Sequence, residues 1–215
     1  MIKTIIITGG NINEKFLKQE ILKDKFDNII ASDKGLESLD KINIKPNYII
    51  GDFDSIDKKV LNKYLEDKNI NIRELNPEKD YTDTHMALKL AIELKSTNII
   101  IIGAIGSRID HTLSNIHILK EALENNLECT ILNENNKIRL INKKIFLHLD
   151  ENYKYISLIP LTTYVKGVTL RGFKYPLLDA TLEIGHSIGV SNEQIEEKSE
   201  IEIDSGILIL IQAKD

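Results

Sequence analysis

An α/β domain built on a parallel sheet, followed by a small antiparallel β-sandwich, is the architecture expected of this chain of 215 residues. Three observations carry that expectation. Up to about Asn135, short and uniformly apolar strands alternate with segments of helical spacing, which marks a parallel sheet covered on both faces. From about residue 136 the helical spacing disappears, and short strand candidates follow one another between Gly and Pro turns, as in a sandwich of short strands. A short polar linker, Asn133 to Lys137, stands between the two patterns. The expected domains are therefore 1–135 and 136–215.

The first part reads in order as follows. Ile5-Ile6-Ile7 is a β-branched run that stops at Thr8-Gly9-Gly10, and Asn13 to Leu22 carries apolar residues at helical spacing. Ile29-Ile30-Ala31 ends at Ser32-Asp33-Lys34-Gly35, with a helix-like stretch on to Lys41. Tyr48-Ile49-Ile50 ends at Gly51-Asp52-Phe53-Asp54-Ser55, and a polar helix-like segment covers Asp57 to Asp67. Ile70-Asn71-Ile72 leads through Pro77 to Lys79-Asp80-Tyr81-Thr82-Asp83, and Thr84 to Leu94 has the spacing of an amphipathic helix. Ile99 to Ile102 ends at the glycine-bearing turn Gly103 to His111; a helix from Thr112 to Asn125 and the strand Thr130-Ile131-Leu132 follow.

In the second part the strand candidates are Ile145–Leu147, Tyr155–Ile159, Val165–Leu170, Thr181–Ile184, Glu200–Ile203 and Ile207–Ile211. Glu200 to Asp204 alternates strictly and is expected to have one wet face, while Ile207 to Ile211 is apolar on both faces and is expected to be a central strand.

Composition excludes several classes of function. The chain is 42% hydrophobic and 28% charged, as in ordinary globular domains. A net charge of −5 argues against non-specific nucleic-acid binding, which needs a basic face. The single cysteine, Cys129, excludes an internal disulfide and a cysteine-rich zinc site, and its apolar flanks suggest a buried thiol. No apolar run approaches the roughly 18 residues of a membrane span, and no secretory leader is evident, so the expected location is the cytoplasm.

In a parallel sheet, ligands bind outside the carboxyl ends of the strands. Asp33, Asp52, Asp54, Asp80, Asp83 and Asp110 all fall at such ends. Carboxylates so gathered repel one another unless a cation lies among them, and Mg²⁺ takes oxygen ligands together with substrate phosphates. Taken singly, each acid also fits an ordinary turn or a helix start; Asp80, for one, fits the N-cap of the helix near Thr84. The turn Gly103 to Asp110 leads into a helix N-terminus, where backbone N–H groups hold phosphate, although it matches neither GxxxxGK[ST] nor GxGxxG. Arg108 is the cation of that turn, open to a phosphate chain or to an ion pair with a nearby acid. His111 fits a general base, and fits a capping or core role at least as well. Together these residues point to metal-assisted phosphoryl or pyrophosphoryl transfer. Two other readings are a two-metal phosphoesterase, which would usually recruit more than the nearby His85 and His111, and a non-catalytic acidic cation-binding module, which would leave Arg108 and the glycine turn unused.

Six stretches, in order along the chain, resemble the thiamine pyrophosphokinases of bacterial type. They are Gly51–Ile56, Glu78–Thr84, Gly103-Ala104 with Arg108–Asn115, Ile156–Leu161, Gly172–Leu177 and Gly189–Glu193. The resemblance implies a Rossmann-like N-terminal domain, a C-terminal thiamine-binding and dimerisation sandwich, and a homodimer whose active site is shared between subunits. It implies transfer of the pyrophosphoryl group of ATP, with Mg²⁺, to the hydroxyl of thiamine. Carried over, it assigns Asp52, Asp54 and Asp83 to the metal and Asp54, Asp83, Arg108 and Asp110 to catalysis. Asp33, Asp52, Asp80, Thr82, Arg108, His111, Ser191 and Asn192 are assigned to the nucleotide and thiamine. The chain departs from the pattern at Lys34 and Ser107, where glycine is usual or common, and at Glu193-Gln194, where some relatives carry an aromatic residue.

Overall fold

A computed structural model describes residues 1–215 apart from Pro77 and Lys79; the Lys79 of the Glu78–Thr84 stretch thus lies outside the described residues. The chain forms two compact units, Met1–Glu134 and Asn135–Asp215.

The first unit contains β1 (Lys3–Ile7), α1 (Glu14–Lys23), β2 (Asn28–Ser32), α2 (Gly35–Lys41), β3 (Tyr48–Gly51), α3 (Lys58–Leu65), β4 (Asn71–Glu74), α4 (Asp83–Glu93), β5 (Asn98–Ile102), α5 (Ile109–Glu124) and β6 (Glu128–Leu132). Its strands pair in parallel in the order β4-β3-β2-β1-β5-β6. The uniform apolarity has its cause in this arrangement: Ile5, Ile6, Ile7, Ile30, Ile49 and Ile101 are buried, because helices cover the sheet. Leu17 and Ile21 of α1, Leu36 and Leu39 of α2, Ala87, Leu88, Leu90 and Ala91 of α4 and Leu119 of α5 supply the covering apolar stripes. From β1 the chain steps outward through β2, β3 and β4, then returns to place β5 on the other side of β1. The strand order thus reverses between β1 and β5, the place where open α/β sheets bind ligands.

Two helix starts differ from expectation. The N-cap of α4 is Thr82, whose hydroxyl accepts from the His85 N–H, so Asp80 is not the cap and Asp83 occupies the first turn. α5 begins at Ile109 rather than Thr112, because Ile109 and Leu113 turn outward and hide the early periodicity. The consequence is that Arg108 becomes the N-cap residue and Asp110 and His111 fall in the first helical turn.

The second unit contains β7 (Asn136–Ile141), β8 (Ile145–His148), β9 (Tyr155–Pro160), β10 (Tyr164–Arg171), β11 (Leu177–Glu183), β12 (Lys198–Glu202) and β13 (Leu208–Ala213). They form an antiparallel trio β7-β13-β9 and a four-stranded antiparallel sheet β11-β10-β12-β8. The shared core draws on both: Ile141, Ile156, Leu158, Leu208 and Leu210 from one, Leu147, Val165, Val168, Leu182 and Ile201 from the other. β13 is central in its trio, as its two-sided apolarity requires, and Ile201 and Ile203 are the buried residues of the alternating stretch. Sequence reading overlooked β7. Asn136 and Lys137, which the sequence suggests as linker, are its first residues; Ile138, Leu140 and Ile141 are buried, and of these Ile141 joins the shared core. Buried Cys129 lies in the first unit, where desolvation raises its thiol pKa to about 12.

Candidate active site

Where the strand order reverses, the first unit opens into a cleft of about 320 Å³, a size suited to a small ligand. Its floor is main chain. The turn after β1 and the turn after β5 are joined by hydrogen bonds from Gly10 N to Gly103 O (2.8 Å) and from Asn11 N to Ile105 O (2.9 Å). The approach is too close for side chains: a Cβ on Gly10 would stand 2.1 Å from the Gly103 carbonyl oxygen, and one on Gly103, at φ 84°, would stand 2.3 Å from the Thr8 oxygen. Two side-chain bonds fix neighbouring helices to this floor. Thr8 and Thr84 share a buried hydroxyl–hydroxyl hydrogen bond of 2.8 Å, which ties β1 to the first turn of α4. Buried Asn115 of α5 donates to the Ala104 carbonyl at 2.8 Å.

Of the residues expected from the sequence, the cleft gathers Asp33, Thr82, Asp83, Arg108 and His111 from three separate stretches of chain. Asp33 holds a left-handed conformation, φ 47°, immediately after β2, and its N–H donates to the Ile50 carbonyl of β3. Asp52, Asp54, Asp80 and Asp110 are not part of the lining, whereas Ser55 of the same turn is. Asp52 and Asp54 share a tight turn in which the Asp54 N–H donates to Asp52 Oδ1 at 3.2 Å and Phe53 adopts φ 63°. Strained non-glycine conformations of this kind concentrate at functional sites.

Arg108 and Asp110 form the ion pair that the sequence left open. Arg108 Nε and an η nitrogen donate to the two oxygens of Asp110 at 3.3 and 2.6 Å. The hydrogen bond from Arg108, aided by the His111 backbone N–H, holds the Asp110 carboxyl below the usual range, and the same bond raises the guanidinium.

Ser191 and Asn192 belong to the second unit. Ser191 is exposed, at φ 57°, and its N–H donates to Ser157 Oγ at 3.0 Å. Asn192 is 4% exposed, and its carboxamide serves the main chain. Oδ1 accepts from Tyr175 N (3.0 Å) and Glu193 N (2.9 Å), while Nδ2 donates to Tyr175 O (2.8 Å). Its side chain therefore shapes the loop beside Ser191.

Among the described residues, no three His, Cys, Asp or Glu side chains are gathered into a ready-made metal cage. The donors offered by the cleft at Asp33 and Asp83 are carboxylate oxygens. They fit a hard divalent ion that completes its shell with phosphate oxygens and water. Sequence reading assigned no role to Gly9, Gly10, Asn11, Lys34, Ser55 or Asn115, all of which line the cleft. The glycine pair after β1 was the available signal.

Comparison with known proteins now adds to this geometry. Residues 19–131 match the family model of the thiamin pyrophosphokinase catalytic domain, and residues 143–208 match that of the thiamin pyrophosphokinase vitamin B1 binding domain. Thiamine pyrophosphokinase of Bacillus subtilis is 33% identical over 214 residues, covering 99% of this chain and 100% of that protein. The crystal structure of the Bacillus subtilis thiamine pyrophosphokinase superposes with a TM-score of 0.90 at 31% identity, covering 99% of each chain. That of thiamin pyrophosphokinase from Geobacillus thermodenitrificans gives 0.86 at 28% identity, covering 100% of this chain and 98% of the other.

Proposed function

The chain belongs to the thiamin pyrophosphokinase family, and from that premise we propose that it transfers the pyrophosphoryl group of ATP to the hydroxyl of thiamine, yielding thiamine diphosphate and AMP. The observation that carries the reading is the cleft at the strand-order reversal, where carboxylates, an arginine and a main-chain floor meet. The hydroxyl oxygen of thiamine forms a bond to the β-phosphorus of ATP, and the bond from that phosphorus to the oxygen shared with the α-phosphate breaks. AMP leaves with that oxygen, and the hydroxyl proton is released. Asp52, Asp54 and Asp83 would hold Mg²⁺, with Asp33 and Asp80 close by; bound there, it would offset phosphate charge. Arg108, oriented by Asp110, meets the charge that develops on the phosphate chain. Thr82 and His111 border the nucleotide.

The first unit acts as the catalytic domain and the second as the thiamine-binding and dimerisation domain. Exposed Leu178, Ile184, Ile188, Val190 and Ile195 on the second unit support a subunit interface. In an isologous dimer, Ser191 of one chain reaches thiamine bound at the acids of the other. No helix among the described residues is long and apolar enough to cross a membrane, which is compatible with work in the cytoplasm. The phosphoesterase and cation-module readings find no support among the relatives. Incubation with ATP, Mg²⁺ and thiamine tests the proposal. AMP and thiamine diphosphate should form together and only with thiamine present; ADP as the thiamine-dependent product overturns pyrophosphoryl transfer.

A further inference from the structure

The cleft is lined by two basic side chains, Lys34 and Arg108, on opposite sides of the main-chain floor. Arg108 follows β5 and Lys34 follows β2, the two neighbours of β1 in the sheet. The strands they follow, β2 and β5, lie two strand spacings apart, about 9.5 Å. Arg108 is tied to Asp110. Among the described residues Lys34 has neither an ion pair nor a side-chain hydrogen bond, and it is exposed.

The backbone of Lys34 is nevertheless firmly placed. Asp33 before it is left-handed, and the Asp33 carbonyl accepts from Leu36 N at 3.0 Å. Gly35 after it lies so close to β1 that an added Cβ would stand 2.0 Å from the Ile7 oxygen. Lys34 Cβ itself packs over the bare face of Gly9, 3.2 Å from where a Gly9 Cβ would be. A lysine rooted in this way presents a mobile ammonium to the cleft from a fixed base, and such an ammonium binds phosphate as a point charge.

We infer that Lys34 binds the β- and γ-phosphates of ATP, the part of the nucleotide that is transferred. The inference rests on the proposed reaction. Two cations set on either side of β1 suit an extended polyanion better than a single phosphate. Lys34 adjoins Asp33, and α4, which carries Asp83 at its start, packs across β1, β2 and β3. Lys34 therefore shares the side of the cleft where Asp33 and Asp83 stand, the carboxylates that would hold a divalent cation beside the terminal phosphates. Arg108 serves the other end of the chain.

Calorimetric titration of wild-type protein, Lys34→Met and Lys34→Arg with ATP, inorganic pyrophosphate and AMP, each with Mg²⁺, tests this. Lys34→Met should weaken ATP and pyrophosphate about tenfold to a hundredfold, as expected for loss of a charged hydrogen bond, and leave AMP unchanged. Lys34→Arg should stay within about threefold of wild type, the charge being kept. Unchanged ATP affinity in Lys34→Met, or an equal loss for AMP, overturns the inference. If the wild-type protein forms no AMP with thiamine, the proposed reaction is overturned, and the titrations still decide whether Lys34 binds the terminal phosphates.

Discussion

Arg108 and Asp110 grip each other through both carboxylate oxygens at the start of α5. Both side chains are largely exposed, and an exposed ion pair contributes little to stability. What the pair does is fix the direction of a guanidinium at the rim of the cleft. Arg108→Ala should lower kcat about 100-fold, as loss of one electrostatic stabiliser does elsewhere, with an unchanged melting temperature. Asp110→Asn should lower it about tenfold, because a bidentate partner orients as well as attracts. AMP release under saturating substrates reads both. Near-normal turnover in Arg108→Ala would reduce the pair to a surface contact.

Asp54→Asn keeps the shape of the turn after β3 and removes one carboxylate charge from it. Turnover should fall at least ~100-fold with an unaltered circular dichroism spectrum. Wild-type kinetics with unchanged Mg²⁺ dependence would leave Asp54 as a turn residue only.

Sharing of the site between subunits is open to complementation. Ser191→Lys sets a cation against the positively charged thiazolium of thiamine. The position tolerates it, since Lys95 already adopts φ 58° where Ser191 adopts 57°. An equal mixture of Asp54→Asn and Ser191→Lys chains, re-paired at random, makes half the dimers hybrid, each with one intact site. About a quarter of wild-type activity should return. No recovery, with subunit exchange verified by tags, means that the site lies within one chain.

Asn192 and Ser191 are adjacent and should behave oppositely. Asn192→Ala leaves two backbone N–H groups and the Tyr175 carbonyl without their partner, and should cost about 2 kcal/mol in urea unfolding. Ser191→Ala, at an exposed site, should change stability by less than about 0.5 kcal/mol. Equal effects on stability would mean that the amide clasp carries no weight.

Asp40 sets a pH dependence away from the cleft. It accepts from Lys63 Nζ at 2.5 Å and from Tyr64 Oη at 2.8 Å. The Lys63 bond chiefly, with help from Tyr64 and against the effect of burial, lowers its pKa. A depressed carboxyl stabilises the fold above its unfolded value of about 3.9, and this contribution disappears as pH falls through the lower folded value. Asp40→Asn should therefore be about 1 kcal/mol less stable than wild type at pH 7. The gap should close progressively below about pH 4. A gap that widens in acid would contradict the assignment.

How much of this was legible beforehand depends on the range of the signal. β13 announced itself because Ile207 to Ile211 is apolar at every position, which only a central strand tolerates. The parallel sheet was equally plain from runs such as Ile5-Ile6-Ile7. β7 was obscured because polar Asn136 and Lys137 open it, and the start of α5 because Ile109 faces water. The cleft was legible in its chemistry, through Asp33, Asp83 and Arg108, but not in its construction. Gly10 meets Gly103 across a large gap in sequence, and no local pattern encodes that contact. The hydrogen bonds of Asn192 to Tyr175 were not legible either, because burial and the approach of a loop 17 residues away leave no local pattern.

A cleft with a main-chain floor can diverge only at its margins. No side chain can be added at Gly10 or Gly103 without displacing the carbonyl groups that face them. The base of the cleft is thus closed to gradual change, in laboratory evolution as much as in descent. Ser55 and Ser107 border the same space and are exposed. Variants with altered nucleotide or acceptor preference should accumulate substitutions at those two positions, while the two glycines stay as they are.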